Sequence, residues 1–286
     1  MLINKAIASD NSGNEIRVSS VFNYENKIEF NNFSAKYVLS GKELYQLNNK
    51  KYSVSSGEYV VGNKSIEASI IIDSKEPVKG ICIDIAKSKI EEIIDFSFSK
   101  NQTFKKFIFE QEWMSKKYNA ASTNLGYAIN QIAQKVEENN TEKTFFTNDI
   151  FYSLAECIVK DQEYIFTHFQ SLKAIKEETN GKLLDFIYDA KNFMDTHYLD
   201  KINLDTIALE AKISQYHFIR LFKKMFNVTP YQYISQKRLH LAKALLLEGT
   251  EIIDCTYITG FSNPANFSKA FKNEFGIPPK NMKCKN

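Results

Sequence analysis

The sequence predicts a two-domain α+β chain: strands first, helices after them, and an all-α domain at the end. Three observations carry this. Apolar residues alternate with period two up to about Ile85 and recur at helical spacing beyond it. One helix-turn-helix pattern occurs twice between Leu204 and Pro279. Charge divides along the same line. From Gly181 onward there are 15 Lys and Arg against 10 Asp and Glu, net +5, while the residues before it carry 22 against 24, net −2. At 286 residues, each part is large enough for its own core. The expected division is 1–175, β-rich with helices after about 88, and 182–286, all helical. The polar stretch Lys176–Lys182 (KEETNGK) joins them.

In the first part, Ile66, Ala68, Ile70 and Ile72 alternate with polar residues, and Ile81, Ile83 and Ile85 do the same. Period two over such lengths means half-buried sheet. Ser40-Gly41, Ser56-Gly57, Gly62-Asn63 and Pro77 read as turns between short strands, as in an antiparallel barrel or sandwich. Ile90, Ile93 and Ile94 mark a short helix, and Phe104–Phe109 (FKKFIF) reads as a strand or extended arm. Trp113, the sole tryptophan, serves core packing or ligand stacking. Leu125, Ile129, Ile132 and Val136 form one amphipathic stripe. Phe151, Leu154, Cys157, Ile158, Ile165 and Phe169 form another. These helices can pack on the sheet, on each other or on a second subunit.

In the second part, Leu183, Phe186, Ile187, Ala190, Phe193 and Met194 mark the first helix. The first repeat then runs from Ile202 to Phe226, with Leu204, Ile207 and Ala208 as its buried stripe and Ser214 as N-cap of the second helix. That helix buries Phe218, Leu221 and Phe222 and leaves Gln215, Tyr216, Ile219, Arg220 and Lys223 on its other face. Pro230 opens a helix reaching Leu247, about 25 Å long. In the second repeat, Glu251–Gly276, Gly260 supplies the positive φ of the turn, Asn263 caps and Pro264 takes the first helical position. It buries Phe267, Phe271 and Phe275 and leaves Ala265, Asn266, Lys269 and Lys272 facing out.

Composition narrows the chemistry. Hydrophobic content of 43% and charge of 25% are ordinary for a soluble globular protein. No apolar run approaches the roughly 20 residues of a membrane span. The N-terminal MLINKAIASDNSGN has no long apolar segment, so no secretory signal is expected. Cys82, Cys157, Cys255 and Cys284 lack CxxC spacing, which suits reduced thiols in a cytoplasm and not zinc. His168 is the first histidine, so a His-based metal site in the β region is excluded, and His197, His217 and His240 read as packing or surface residues. Walker, GxSxG, HExxH and Rossmann patterns are absent, and Glu91-Glu92 and Glu137-Glu138 read as solvated helix faces. The expectation is no catalytic residue, no metal and no cofactor.

The repeated segments, above all Ser214–Lys223 (SQYHFIRLFK), Pro230–Leu246 with Arg238 and Ala242, and Gly260-Phe261 followed by FSKAFKNEFGIPP, resemble the DNA-binding domain of the AraC/XylS family of bacterial transcription regulators. The resemblance spans roughly Lys182–Lys283. Cys255-Thr256 stands where the family usually has Ile-Ala, Lys283 where Arg is usual, and Lys212 at a turn position that often holds Gly. It implies a cupin-like N-terminal barrel for sensing and dimerisation, a homodimer contact through the helix around Leu125–Val136, promoter DNA as partner, and activation through RNA polymerase. The expected DNA contacts are Gln215, Tyr216, Ile219 and Arg220 in one major groove and Ala265, Asn266 and Lys269 in the next, with Lys223, Lys224 and Lys272 on phosphates. Arg220 can instead pair with an acid inside the domain, and Arg238 reads as an internal anchor. Thr256 brings a hydroxyl that needs a partner, so the second unit is expected to be looser than the first. For the N-terminal domain the expectation is a small organic effector without metal, for which Tyr37, Tyr45, Tyr52 and Tyr59 are candidates. A regulatory protein docking there is the alternative. An enzyme fused to a DNA anchor is a third reading, disfavoured by the missing metal ligands.

Overall fold

The first strands are short because glycine turns punctuate them. β1 (Ile3–Ser9) and β2 (Glu15–Ile28) form a hairpin; β3 (Phe33–Ser40), β4 (Lys42–Leu47), β5 (Lys50–Ser55) and β6 (Glu58–Gly62) follow. β7 (Ala68–Ile85) is different: it runs unbroken for 18 residues and pairs antiparallel with β2 along nearly its whole length. Its other edge is shared, with β4 beside Ala68–Ile71 and β3 beside Lys79–Ile85. β8 (Lys117–Asn119) adds to β6. Pro77 therefore marks no turn between strands. It sits in an irregularity inside β7, where the register jumps from Asp73 opposite Asn23 to Val78 opposite Val21. The missing N–H of proline is tolerated at such a bulge.

The computed structural model describes residues 3–30, 32–47, 50–64, 66–97, 101–110, 117–138, 149–172, 177–210 and 213–282, with backbone alone at 3, 177–180 and 210. Trp113, Lys212, Lys283 and Cys284, singled out above, lie outside the described residues. Contacts divide the chain into Met1–Gln170 and Ser171–Asn286.

One face of the sheet gathers Val21, Val38, Tyr45, Leu47, Val54, Val60, Ile70, Ile72 and Val78 into a single core. Residues from six strands meet there, so the sheet curls round it. The opposite face of β3 and β7 buries Phe33, Ala35, Tyr37, Ile81, Ile83 and Ile85. Helices follow: α1 (Lys87–Ser97), α2 (Gln102–Glu110), α3 (Asn124–Glu137) and α4 (Asp149–Ser171). The segment Phe104–Phe109 is helical, not a strand. Phe104, Phe107 and Ile108 are buried at i, i+3 and i+4, the spacing of one helix face. α3 is held on two sides. The Tyr37 hydroxyl donates to Asn130 Oδ1 at 3.0 Å, and Asp161 of α4 accepts the backbone N–H groups of Asn124 and Leu125 at 2.9 Å each.

The second unit contains α5 (Glu177–His197), α6 (Leu204–Glu210), α7 (Gln215–Phe226), α8 (Pro230–Leu247), α9 (Ile252–Ile258) and α10 (Pro264–Phe275). Most of the polar stretch read as a linker is the first turn of α5, which starts at Glu177. α5 buries Leu184, Ile187, Tyr188, Ala190 and Met194, whereas Phe193 is 44% exposed and stacks on His197. The stripe is thus rotated slightly from the expected one.

Candidate nucleic-acid interface

Each half of the repeat builds its second helix in the same way. α7 starts at Ser214, whose hydroxyl accepts the His217 N–H at 3.2 Å. α10 starts at Asn263, whose Oδ1 accepts the Asn266 N–H at 2.8 Å, with Pro264 at the first helical position. These caps satisfy donors that have no intrahelical acceptor. α7 buries Phe218, Leu221, Phe222 and Met225; α10 buries Phe267 and Phe271. Phe275 is only partly buried, edge-on to His240 at 5.4 Å, because it lies past the centre of the α8–α10 contact.

α8 is the beam between the two units. Tyr233 near its start meets Phe222 of α7 at 5.7 Å, while Leu239, Ala242 and Leu246 pack with Phe267 and Phe271 of α10. A capping box between Thr229 and Gln232 fixes where it begins. Arg238 pins its middle by donating to three backbone carbonyls: Nε to Tyr198 at 2.6 Å, Nη1 to Gly260 at 2.9 Å and Nη2 to Asp200 at 2.9 Å. Gly260 holds φ at 75°, and a Cβ there would lie 3.0 Å from Arg238 Cζ, so conformation and contact both ask for glycine. Asp195 ties α5 to α8 through Lys237 (2.7 Å) and the Tyr233 hydroxyl (2.6 Å), and pairs with Lys191 one turn earlier on α5 itself (2.7 Å). Burial pushes its carboxyl up, but these partners outweigh that and hold it below the usual range.

The expected looseness of the second unit has no counterpart in its hydrogen bonds. Thr256 donates to Ile252 O at 2.7 Å, Thr259 to Cys255 O at 2.7 Å, and Cys255 Sγ to Ala242 O at 3.4 Å. All three residues are fully buried and all three polar groups have partners.

On the outer face of α7, Tyr216 is 76% exposed, Arg220 and Lys223 are exposed, and Gln215 and Ile219 are half-buried between them. Arg220 makes no hydrogen bond or ion pair among the described residues, so the internal pairing left open above is not formed there. Lys224 donates to the Ser171 carbonyl. On α10, Ala265, Asn266, Lys269 and Lys272 are exposed. Residues 216, 220 and 223 share one helix face, as do 265, 266, 269 and 272. A helix-turn-helix domain family model matches residues 207–283. The chain is 24% identical over 249 residues to the Msm operon regulatory protein of Streptococcus mutans, covering 87% of this chain and 82% of that one. It is 27% identical over 158 residues to the lactose operon transcription activator of Staphylococcus xylosus, covering 54% and 52%. The chain thus spans most of the first relative and about half of the second.

The chain resembles regulators of the AraC/XylS family.

It is a transcription regulator with an AraC-type helix-turn-helix DNA-binding domain at its C-terminal end. A crystal structure of ToxT from Vibrio cholerae aligns over 96% of both chains at 13% identity, with a TM-score of 0.37, too low to support any argument about shape. No described helix is long and apolar enough to cross a membrane.

The curled sheet of the first unit also borders an open cavity of about 270 Å³. Of the four candidate tyrosines, Tyr45 places its hydroxyl on this side, donating to Glu43 Oε2 at 2.6 Å. Tyr37 borders the cavity, but its side chain lies on the far face of the sheet, bonded to α3. Tyr59 stacks on Tyr118 at 5.3 Å and shares a hydrogen bond with Thr123, away from the cavity. Tyr52 is half-buried against the core. The sequence reading missed the charged groups of the lining: Arg17, Lys36 and Glu43, with Asp84 beside them. Alternation held the signal, since Lys36 shares a strand face with Ser34 and Val38, and Glu43 with Tyr45 and Leu47.

Proposed function

We propose that α7 and α10 enter successive major grooves of promoter DNA, with Gln215, Tyr216, Ile219 and Arg220 reading the first and Ala265, Asn266 and Lys269 the second. Lys223, Lys224 and Lys272 take phosphates. The observation that carries this is the pair of equivalently capped helices on one beam, each turning a polar or basic face outward beyond a buried aromatic stripe. Arg220 adds to it, because an exposed guanidinium with no internal partner suits the O6/N7 edge of guanine. A beam of about 25 Å suits helices roughly one DNA turn apart, about 34 Å. Following the relatives, we take the chain to activate transcription by contacting RNA polymerase, as a cytoplasmic homodimer with a cupin-like first domain. That first domain binds a small organic effector. The cavity favours this over a docked regulatory protein, because it offers a concave lining of small-molecule size with both apolar and charged groups. An effector acts by binding one conformation more tightly than another.

The test is a footprint of the full-length protein on a duplex selected from genomic fragments. Two protected major-groove patches about one helical turn apart are expected. A single patch would leave one helix without a groove and refute the two-groove reading.

A further inference from the structure

The cavity in the curled sheet is lined by two polar groups whose hydrogen bonds are not all filled by the described residues. The first is the Lys36 ammonium. Its side chain is 12% exposed, and the nearest acid is Asp84 Oδ1 at 3.9 Å, beyond hydrogen-bond reach. Asp84 is already engaged by Arg17 Nη2 at 2.6 Å and by the Ser34 hydroxyl. Arg17 in turn has both Asp84 and Glu15, the latter at 3.4 Å. Among the described residues Lys36 donates no hydrogen bond. The second is Glu43, which is 5% exposed. Tyr45 holds its Oε2, while Oε1 has no donor among the described residues. Gly80 opposite it has no side chain; a Cβ there would come within 3.5 Å of Oε1. Both residues line the open cavity, so a bound molecule can supply the hydrogen bonds that the described residues do not.

Such a molecule must bring an acceptor with negative charge to Lys36 and a donor to Glu43 Oε1. We infer that the cavity takes a small carboxylic acid bearing a hydroxyl or amino donor, its carboxylate on Lys36 and its donor on Glu43. This rests on the effector reading of the first domain. A single carboxylate gives the Lys36 ammonium the charged acceptor it lacks within hydrogen-bond distance, whereas a phosphate dianion would add excess negative charge beside Glu43 and Asp84. A neutral polyol would give Lys36 only an uncharged acceptor, a weaker hydrogen bond than a carboxylate makes. Val21, Ile28, Ile70 and Ile72 supply apolar wall for the carbon end. At about 30 Å³ per water-sized group, the volume suits a molecule of roughly ten non-hydrogen atoms.

The experiment uses full-length protein, thermal shift and titration calorimetry. The probes are 2-hydroxy and 2-amino acids of roughly three to six carbons, with their methyl esters, the unsubstituted acids and neutral polyols of equal size. At least one substituted acid is expected to raise the melting temperature. Its ester and its unsubstituted counterpart should bind about ten-fold or more weakly, as for loss of a hydrogen bond to a charged group. Lys36→Met should erase the preference for acid over ester. Glu43→Leu should erase the preference for substituted over unsubstituted acid. Circular dichroism of both variants, and retained DNA binding, exclude misfolding as the cause; Lys36→Arg keeps the charge and should keep the acid preference. Polyol binding with no response to any acid overturns the ligand chemistry and leaves the effector reading standing. Acid binding undiminished in folded Lys36→Met also overturns it. Silence from every probe class, polyols included, removes both the inference and the effector reading.

Discussion

Arg220 makes no hydrogen bond or ion pair among the described residues, whereas Asp195 has three partners. Arg220→Ala is expected to cost about 1–3 kcal/mol on a cognate duplex and to relax discrimination at one base pair, measured by fluorescence anisotropy on single-position variants of the site. Lys223→Ala should weaken all sequences about equally. Unchanged affinity in a folded Arg220→Ala protein would return the residue to the solvent. Asp195 is the internal counterpart. Its folded pKa is depressed, so its stabilisation is present above the unfolded value of about 3.9 and is lost as pH falls through the folded value. Asp195→Asn is therefore expected to lower stability by on the order of 1–3 kcal/mol near neutral pH, with the gap closing below about pH 4. Urea melts at several pH values check it; a pH-independent gap would mean the loss is packing. The sequence exposed Arg220 because local helical spacing puts it outside. It hid Lys36 and Glu43, which are unremarkable in their own strands and meet only through the pairing of β3 and β4 with β7.

At the scale of the element, repeats were easier to read than isolated segments. α7 and α10 confirm each other by their matching order of cap, aromatic stripe and basic face, and α8 begins at the proline that announced it. α2 had no such second copy. Its six residues Phe104–Phe109 hold four large apolar side chains, a density compatible with either period, and only the burial of Phe104, Phe107 and Ile108 decides for helix. The second unit also corrects an expectation based on residue type. A buried threonine in α9 is no defect when its hydroxyl bonds the carbonyl one turn back. Thr256→Ala is expected to change stability by less than about 1 kcal/mol, whereas Phe271→Ala should cost about 3–5 kcal/mol. Denaturant midpoints on both variants decide it. A gain of several kcal/mol from Thr256→Ala would restore the view that α9 is strained.

For the whole molecule, the DNA-binding reading makes affinity a function of salt. If Lys223 and Lys272 each neutralise one phosphate, the double variant Lys223→Ala/Lys272→Ala should lower the slope of log affinity against log salt by about 2 relative to the parent. An unchanged slope would show that neither lysine reaches a phosphate. The division of charge visible in the sequence anticipated this, but the curvature of the first domain was not legible, because strand partners are set by contacts distant in the chain. β7 makes that arrangement sensitive to parity. Its even-numbered residues Ile70, Ile72, Val78 and Gly80 face the cavity side, and its odd-numbered Ile81, Ile83 and Ile85 face the side where Tyr37 meets α3. A homologous chain can therefore gain or lose two residues between Asp73 and Val78 and keep both surfaces. A change of one would exchange them, turning isoleucines toward the cavity and Asp84 toward the helices. Length differences in that bulge among functional relatives should come in even numbers.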